Sequence, residues 1–225
     1  MYSITKKAIL KSKAELRTKE SKVIITISVG QPSHEGDKFL STLFAVNKQF
    51  AFARIMVCDS LQRHTMKITS PLSLEELHIE SIRQGDEWIT RNIDSINRLT
   101  IPYHISKWDE WLSHPGFIAK YQFILELYAK DPFFKTSIQN TVEGFITRNP
   151  ERVLLDRKVA YPLSRDYLLE ECAVMLLLAD EGFEYEIYPN ERNEALDFIY
   201  QNVIAKENKQ LMQAISVKFK RISYT

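Results

Sequence analysis

The chain of 225 residues has only two cysteines, Cys58 and Cys172. Neither belongs to a paired metal-ligand spacing, so a cysteine zinc site is excluded, and their apolar surroundings read as reduced, buried thiols. Glycine is scarce too, at six residues. Gly30 and Gly36 have the spacing of neither a dinucleotide fingerprint nor a phosphate loop, and no Lys-Ser or Lys-Thr pair follows them in register. His34-Glu35 has no second histidine at helical spacing, which removes the commonest helical zinc motif. No metal or cofactor is expected. No apolar run approaches the roughly 20 residues that span a bilayer, and the beginning lacks an apolar stretch with a cleavage site. The expectation is a cytoplasmic protein without membrane contact. Charge is balanced, with 30 Lys and Arg against 29 Asp and Glu, so no uniformly basic surface is available to a polyanion.

What is present begins with Val23-Ile24-Ile25-Thr26-Ile27, a β-branched run that reads as a buried strand, ended abruptly by Ser28 and the Gly, Pro and Ser after it. A helix is expected from Asp37 to Lys48, on the spacing of Phe39, Leu40, Leu43, Phe44 and Val46. A second buried strand follows over Phe50–Cys58 and stops at Asp59. Strand, helix and strand in this order make a crossover unit, so Ser28 and Asp59 should leave one edge of a parallel sheet and face one cleft. Ahead of this unit Lys6, Lys7, Lys11, Lys13, Arg17, Lys19 and Lys22 crowd a segment opposed only by Glu15 and Glu20. Residues 1–22 therefore read as a basic N-terminal arm and 23–225 as one domain.

Downstream, Ser73 caps a long helix to about Arg98 with Glu75 and Glu76 in its first turn, interrupted at Gly85. Arg83, Arg91 and Arg98 lie along it, either as polyanion contacts or as surface charges paired with Glu80, Glu87 and Asp94. Trp108 and Trp111 read as core anchors. Helices are expected over 117–129, 133–147 and 164–179, the last with Ser164 as its cap. Tyr167 and Glu171, four apart on that buried helix, share one face. A buried carboxylate is costly unless paired or used, and Glu170 reads as its solvated neighbour. A strand over 183–188 leaves the sheet at Tyr188-Pro189, a helix covers 193–205, and Ile215, Val217 and Phe219 read as a Lys-rich edge strand. The residues alone leave a strand-end serine facing a Tyr/Glu pair, with neither the nucleophile-elbow pattern nor a Ser-His-Asp order.

Four motifs together change that. The run Ile27-Ser28-Val29-Gly30-Gln31-Pro32-Ser33-His34-Glu35-Gly36, the loop Asp59-Ser60-Leu61-Gln62-Arg63-His64-Thr65, the segment Tyr167-Leu168-Leu169-Glu170-Glu171 and the pair Tyr188-Pro189 resemble the tRNA-dependent cyclodipeptide synthases in order and spacing. Each motif is short, and their joint occurrence is what is specific. Gln31 three residues past the serine and the Tyr-Pro pair resemble the branch called XYP. The other branch has Asn at the first position and Tyr-His at the second.

The resemblance implies an α/β, single Rossmann-like domain with a mostly parallel sheet flanked by helices. Such a domain is similar to the catalytic domain of class I tyrosyl- and tryptophanyl-tRNA synthetases, without their ATP signatures. It implies an aminoacyltransferase that takes two aminoacyl-tRNAs and no ATP, and releases a cyclic dipeptide through aminoacyl- and dipeptidyl-serine intermediates. Ser28 would be the nucleophile, Tyr167 and Glu171 would hold the α-amino group, and Tyr188 would assist positioning and proton transfer. Thr26, Gly30, Gln31 and Val174 are the candidates for substrate binding, and His34, Glu35 and Asp59 for ordering the loops. Lys6, Lys7, Arg83, Arg91 and Arg98, with Lys218, Lys220 and Arg221, are the candidates for tRNA contact, and a monomer is expected. Two other readings stay open: a serine acyltransferase or hydrolase acting on another activated ester, and a synthetase-like module that holds tRNA without chemistry.

Overall fold

The β-branched run becomes the middle of the sheet. The computed structural model describes residues 6–11, 20–150, 157–190, 192–207 and 213–221. Its six strands are β1 (Lys6–Lys11), β2 (Lys22–Ile27), β3 (Phe52–Val57), β4 (Tyr103–Lys107), β5 (Tyr185–Ile187) and β6 (Gln213–Arg221). They are ordered β1-β6-β5-β2-β3-β4, and every pair is parallel except β1 with β6. A parallel sheet buries both faces, which is why β2 reads as a continuous rather than an alternating apolar run. Val23, Ile25 and Ile27 point to one core with α1 (Gly36–Gln49) and α3 (Leu74–Ile96), where Phe39, Leu43 and Trp88 are buried. Ile24 and Met56 point to the other. Each such side chain contributes about 1.5–3 kcal/mol by leaving water.

The second core is organised by α7 (Arg157–Asp180), buried without interruption from Leu168 to Ala179. Around it lie α2 (Arg63–Lys67), α4 (Trp108–Leu112), α5 (Phe117–Lys130), α6 (Pro132–Arg148) and α8 (Glu194–Ile199). Trp108 and Trp111 are buried in it, as core anchors should be. No described helix is long and apolar enough to cross a membrane.

Five details depart from the sequence reading. Lys6–Lys11 is a strand rather than an arm, hydrogen-bonded to β6 from Lys6↔Arg221 to Lys11↔Ser216; Lys13, Arg17 and Lys19 lie outside the described residues. β6 is consequently not an edge strand, because β1 covers it. Gly85 does not interrupt α3, which runs unbroken under a full Ser73/Glu76 capping box. It is there for close approach, since a Cβ at that position would stand 2.5 Å from the Asp59 carboxylate. α7 starts before Ser164 and accommodates Pro162 in its second turn, so Ser164 is an interior residue and not a cap. Glu170 is buried rather than solvated. It accepts hydrogen bonds from Arg63, from Trp108 Nε1 at 2.8 Å and from the buried His64 ring. Those charge-assisted bonds hold its pKa below the usual carboxylate value despite burial.

Candidate active site

Ser28 is the first residue beyond β2, and Tyr188 is the first beyond β5. These two parallel strands are neighbours, yet the chain leaves β2 toward β3 and β4 and returns through β5 to β6 on the other flank. Strand order reverses there, and at such a point an open α/β sheet forms a crevice outside its carboxyl ends. In that crevice the Ser28 Oγ and the Tyr188 hydroxyl are 3.2 Å apart, within hydrogen-bonding reach. Burial raises the Tyr188 pKa, partly opposed by the bond to Ser28, so Tyr188 keeps its proton.

The serine loop is fixed through its backbone. Gln31 N–H donates to the Ser28 carbonyl (3.2 Å), closing a turn whose third residue, Gly30, has φ +83°, a left-handed conformation that favours glycine. The Ser28 N–H donates to His34 Nδ1 at 2.9 Å. Burial lowers the His34 pKa to about 4, so the ring is neutral and that nitrogen accepts. The Ser28 carbonyl, 3.1 Å from the same nitrogen, would be engaged only when Nδ1 carries the ring proton. His34 also meets the Tyr188 ring edge-on, with centroids 5.6 Å apart. Its carbonyl accepts from Trp88 Nε1 (3.1 Å), and Glu35 accepts from Arg91 and Asn92 at 3.1 Å each. One buried imidazole thus braces both partners of the hydroxyl pair, and its hydrogen bonds reach the backbone of Ser28 rather than the hydroxyl.

Two cavities meet at Ser28. The sheet-side cavity, about 650 Å³, is lined by Thr26, Cys58, Glu171, Glu186, Asn190, Arg192 and Leu196. The outer one, about 480 Å³, extends over Gly30 and Gln31 between α6 and α7. Ser28, Arg148, Tyr167, Tyr188 and Asn193 line both. Glu171, one turn beyond Tyr167 on α7, has its pKa raised to about 8 by burial and by the nearby Glu186, with the Asn193 side chain opposing. Tyr167 is pushed well above its usual pKa by burial and by Glu171. Glu186 is satisfied differently: Thr26 Oγ1 (3.2 Å), Arg192 Nε (3.1 Å) and the Tyr200 hydroxyl (3.2 Å) all donate to it.

Of the expected site residues, Ser28, Tyr167, Glu171, Tyr188, Thr26, Gly30 and Gln31 therefore line these cavities. His34 and Glu35 order the serine loop. Val174 lies in the core and lines neither cavity. Asp59 does not reach the serine cleft. It accepts from the Ser60 N–H (2.9 Å) and the Trp108 N–H (3.1 Å) and pairs with Lys107 (3.4 Å), fixing the exits of β3 and β4. Arg83 pairs with Glu80 and Glu87, and Arg91 with Glu35, so these helix arginines are already matched. The sequence reading missed Glu186, Asn193 and Arg148. The available signals were a carboxylate between the buried Tyr185 and Ile187, a helix cap, and a cation beside the helix-ending Asn149-Pro150.

A reversed-order parallel sheet with a strand-end serine, a buried tyrosine and a buried glutamate at its switch point defines a Rossmann-type α/β fold with a candidate nucleophile in its crevice. No family model matches the chain, and no curated protein does. Among solved structures, a cyclodipeptide synthase from Fluoribacter dumoffii superposes with a TM-score of 0.92 at 32% identity, covering 96% of this chain and 99% of that one. The chain belongs to the cyclodipeptide synthases. A synthase from Candidatus Glomeribacter gigasporarum, solved bound to Phe-tRNAPhe, shares the fold at TM-score 0.76 and 21% identity, covering 92% of this chain and 91% of that one. The tyrosyl-tRNA synthetase of Archaeoglobus fulgidus shares it at 0.53 and 10%, covering 88% of this chain and 54% of that one.

Proposed function

We propose that the protein joins the aminoacyl groups of two aminoacyl-tRNAs into a cyclic dipeptide by a ping-pong route through Ser28, as an XYP-branch enzyme. The observation that carries this is the Ser28–Tyr188 hydroxyl pair at the switch point, with Tyr167 and Glu171 across the same cavity.

An aminoacyl ester of tRNA is already activated, so its transfer to another hydroxyl is close to thermoneutral and needs positioning more than a strong base or ATP. Ser28 Oγ attacks the ester carbonyl, and its proton passes by way of the Tyr188 hydroxyl to the departing ribose oxygen. The first aminoacyl group then sits on Ser28 with its α-amino group toward Tyr167 and Glu171. An α-ammonium has a pKa of roughly 7.7–8.0, and Glu171 titrates at about 8. Matched pKa values let the proton move from nitrogen to carboxylate at little cost. The freed amine attacks the ester of the second aminoacyl-tRNA, which forms the peptide bond, releases that tRNA and leaves a dipeptide on Ser28. Attack in the opposite sense would transfer the dipeptide to tRNA and free Ser28 too early. Finally the terminal amine attacks the seryl ester, closing the six-membered ring and restoring the Ser28 hydroxyl. The N–H groups of Val29 and Gly30, in the turn after Ser28, are the donors for the tetrahedral oxyanions.

The tRNA meets the β1/β6 edge. Ile25, Ile187 and Ile215 are in register, so Lys218 stands at the level of Ser28, two strand spacings or roughly 10 Å away. Lys220 pairs across with Lys7, and Arg221 with Lys6. Lys38 of α1 reaches the same edge over the Phe219 ring at 5.6 Å. Like charges facing each other across strands are unfavourable, and a phosphate backbone relieves them. The protein acts as a cytoplasmic monomer. Incubating it with charged tRNAs tests the reading: cyclic dipeptide from wild type and none from Ser28→Ala supports it. Consumption of charged tRNA with only free amino acid released would point to a hydrolase, and no consumption to a binding module.

A further inference from the structure

The two cavities at Ser28 differ in how their charge is matched. In the sheet-side cavity Glu186 and Arg192 pair with each other (3.1 Å), and Tyr200 and Thr26 complete the acceptor's shell. The outer cavity is lined by no aspartate or glutamate among the described residues, and its one cation is Arg148, the last residue of α6. No hydrogen bond or ion pair within the described residues holds that guanidinium. It lies back over Gly144, where a Cβ would stand 3.3 Å from Nη1, so α6 carries it along its own surface, exposed to water at the cavity. On α7, Ser164 lines the same cavity, is 5% exposed, and has a hydroxyl without a partner among the described residues. A buried hydroxyl left unmatched is a standing cost. Here it is a donor at the wall of a cavity whose only charge is positive.

Resting on the reading above, in which the first aminoacyl group occupies the sheet-side cavity beside Glu171, we propose that the outer cavity selects a second aminoacyl group with an acidic side chain. Arg148 binds its carboxylate, and Ser164 supplies a further donor. A guanidinium fork suits a carboxylate in charge and geometry. A neutral apolar side chain would displace water from the guanidinium and pair with neither donor, which is how a polar pocket rejects the wrong substrate.

The test supplies purified protein with tRNA charged with all amino acids and reads the cyclic dipeptides by tandem mass spectrometry. The proposal expects glutamate or aspartate in the dominant products. It further expects Arg148→Gln to lower the ratio of acid-containing to neutral products by about tenfold or more, Arg148→Lys to retain part of it, and Ser164→Ala to reduce it severalfold. Ser164→Ala removes no hydrogen bond among the described residues, so it should fold whatever happens at Arg148. Wild-type products lacking acidic residues overturn the proposal. An equal fall in all products with Arg148→Gln also overturns it, since that is the signature of a contact to the tRNA phosphates. No cyclic dipeptide at all would overturn the enzyme reading along with it.

Discussion

The hydroxyl oxygens of Ser28 and Tyr188 lie 3.2 Å apart although the residues are 160 positions apart in sequence. Adjacent parallel strands, β2 and β5, deliver them to the same edge, and His34 braces both, through the Ser28 N–H and the Tyr188 ring. Catalysis in this account needs no histidine base because the ester arrives activated, and the tyrosine has only to relay a proton.

Replacing Tyr188 by Phe keeps the ring and its packing on His34 while deleting the relay. Acylation of Ser28 by a single charged tRNA should slow by about 10²-fold, with the melting temperature little changed. A rate within twofold of wild type in a rapid-quench time course would remove Tyr188 from the chemistry.

Glu171 gives a pH signature in the free protein. Its pKa is raised from 4.5 to about 8 on folding, so between those values the folded chain holds a proton that the unfolded chain releases. Its contribution to stability is full below pH 4.5 and is lost as pH rises through 8. Glu171→Gln cannot ionise. Its melting temperature should exceed that of wild type by several degrees at pH 8.5, and the gap should narrow toward pH 4.5, while cyclic dipeptide formation is lost. A gap independent of pH would show that the carboxyl is not perturbed.

Gly85→Ala tests the contact between α3 and the β3 exit. The added methyl meets the Asp59 carboxylate at 2.5 Å, and overpacking of this kind costs about 1–3 kcal/mol. Denaturant unfolding should show a loss in that range, although alanine ordinarily stabilises a helix relative to glycine.

The basic edge predicts a salt-dependent loss. Lys218→Glu with Lys220→Glu should weaken tRNA binding by at least tenfold and flatten the dependence of log affinity on log salt by about two phosphate contacts. Unchanged binding in a filter assay would move the footprint elsewhere.

Much of this was legible in the residues. The β-branched run of β2, the capping box at Ser73 and the four-residue spacing of Tyr167 and Glu171 are local signals, and local geometry satisfies them. Gly85 and Glu170 were misread because tertiary partners decide them: Asp59 demands a missing side chain at one, and Arg63, His64 and Trp108 draw the other inside. β1 was missed because Lys-rich segments read as solvated, and only pairing with β6 makes a strand of it. Glu186 and Arg192 match each other across a turn, a pairing that sequence spacing does not announce. Arg148 becomes conspicuous only once the outer cavity, one of the two it lines, is seen to hold no other charged side chain among the described residues.

The most direct measurement is intact-protein mass spectrometry after brief exposure to one charged tRNA at a time, on wild type and Ser28→Ala in parallel. The account predicts that wild type gains the mass of one aminoacyl group, mapped to Ser28 by peptide analysis, and discharges it as cyclic dipeptide when a second charged tRNA is added. Ser28→Ala should gain nothing. A wild type that makes cyclic dipeptide while never carrying an aminoacyl group, or a Ser28→Ala protein that makes it as fast, would contradict the covalent serine route.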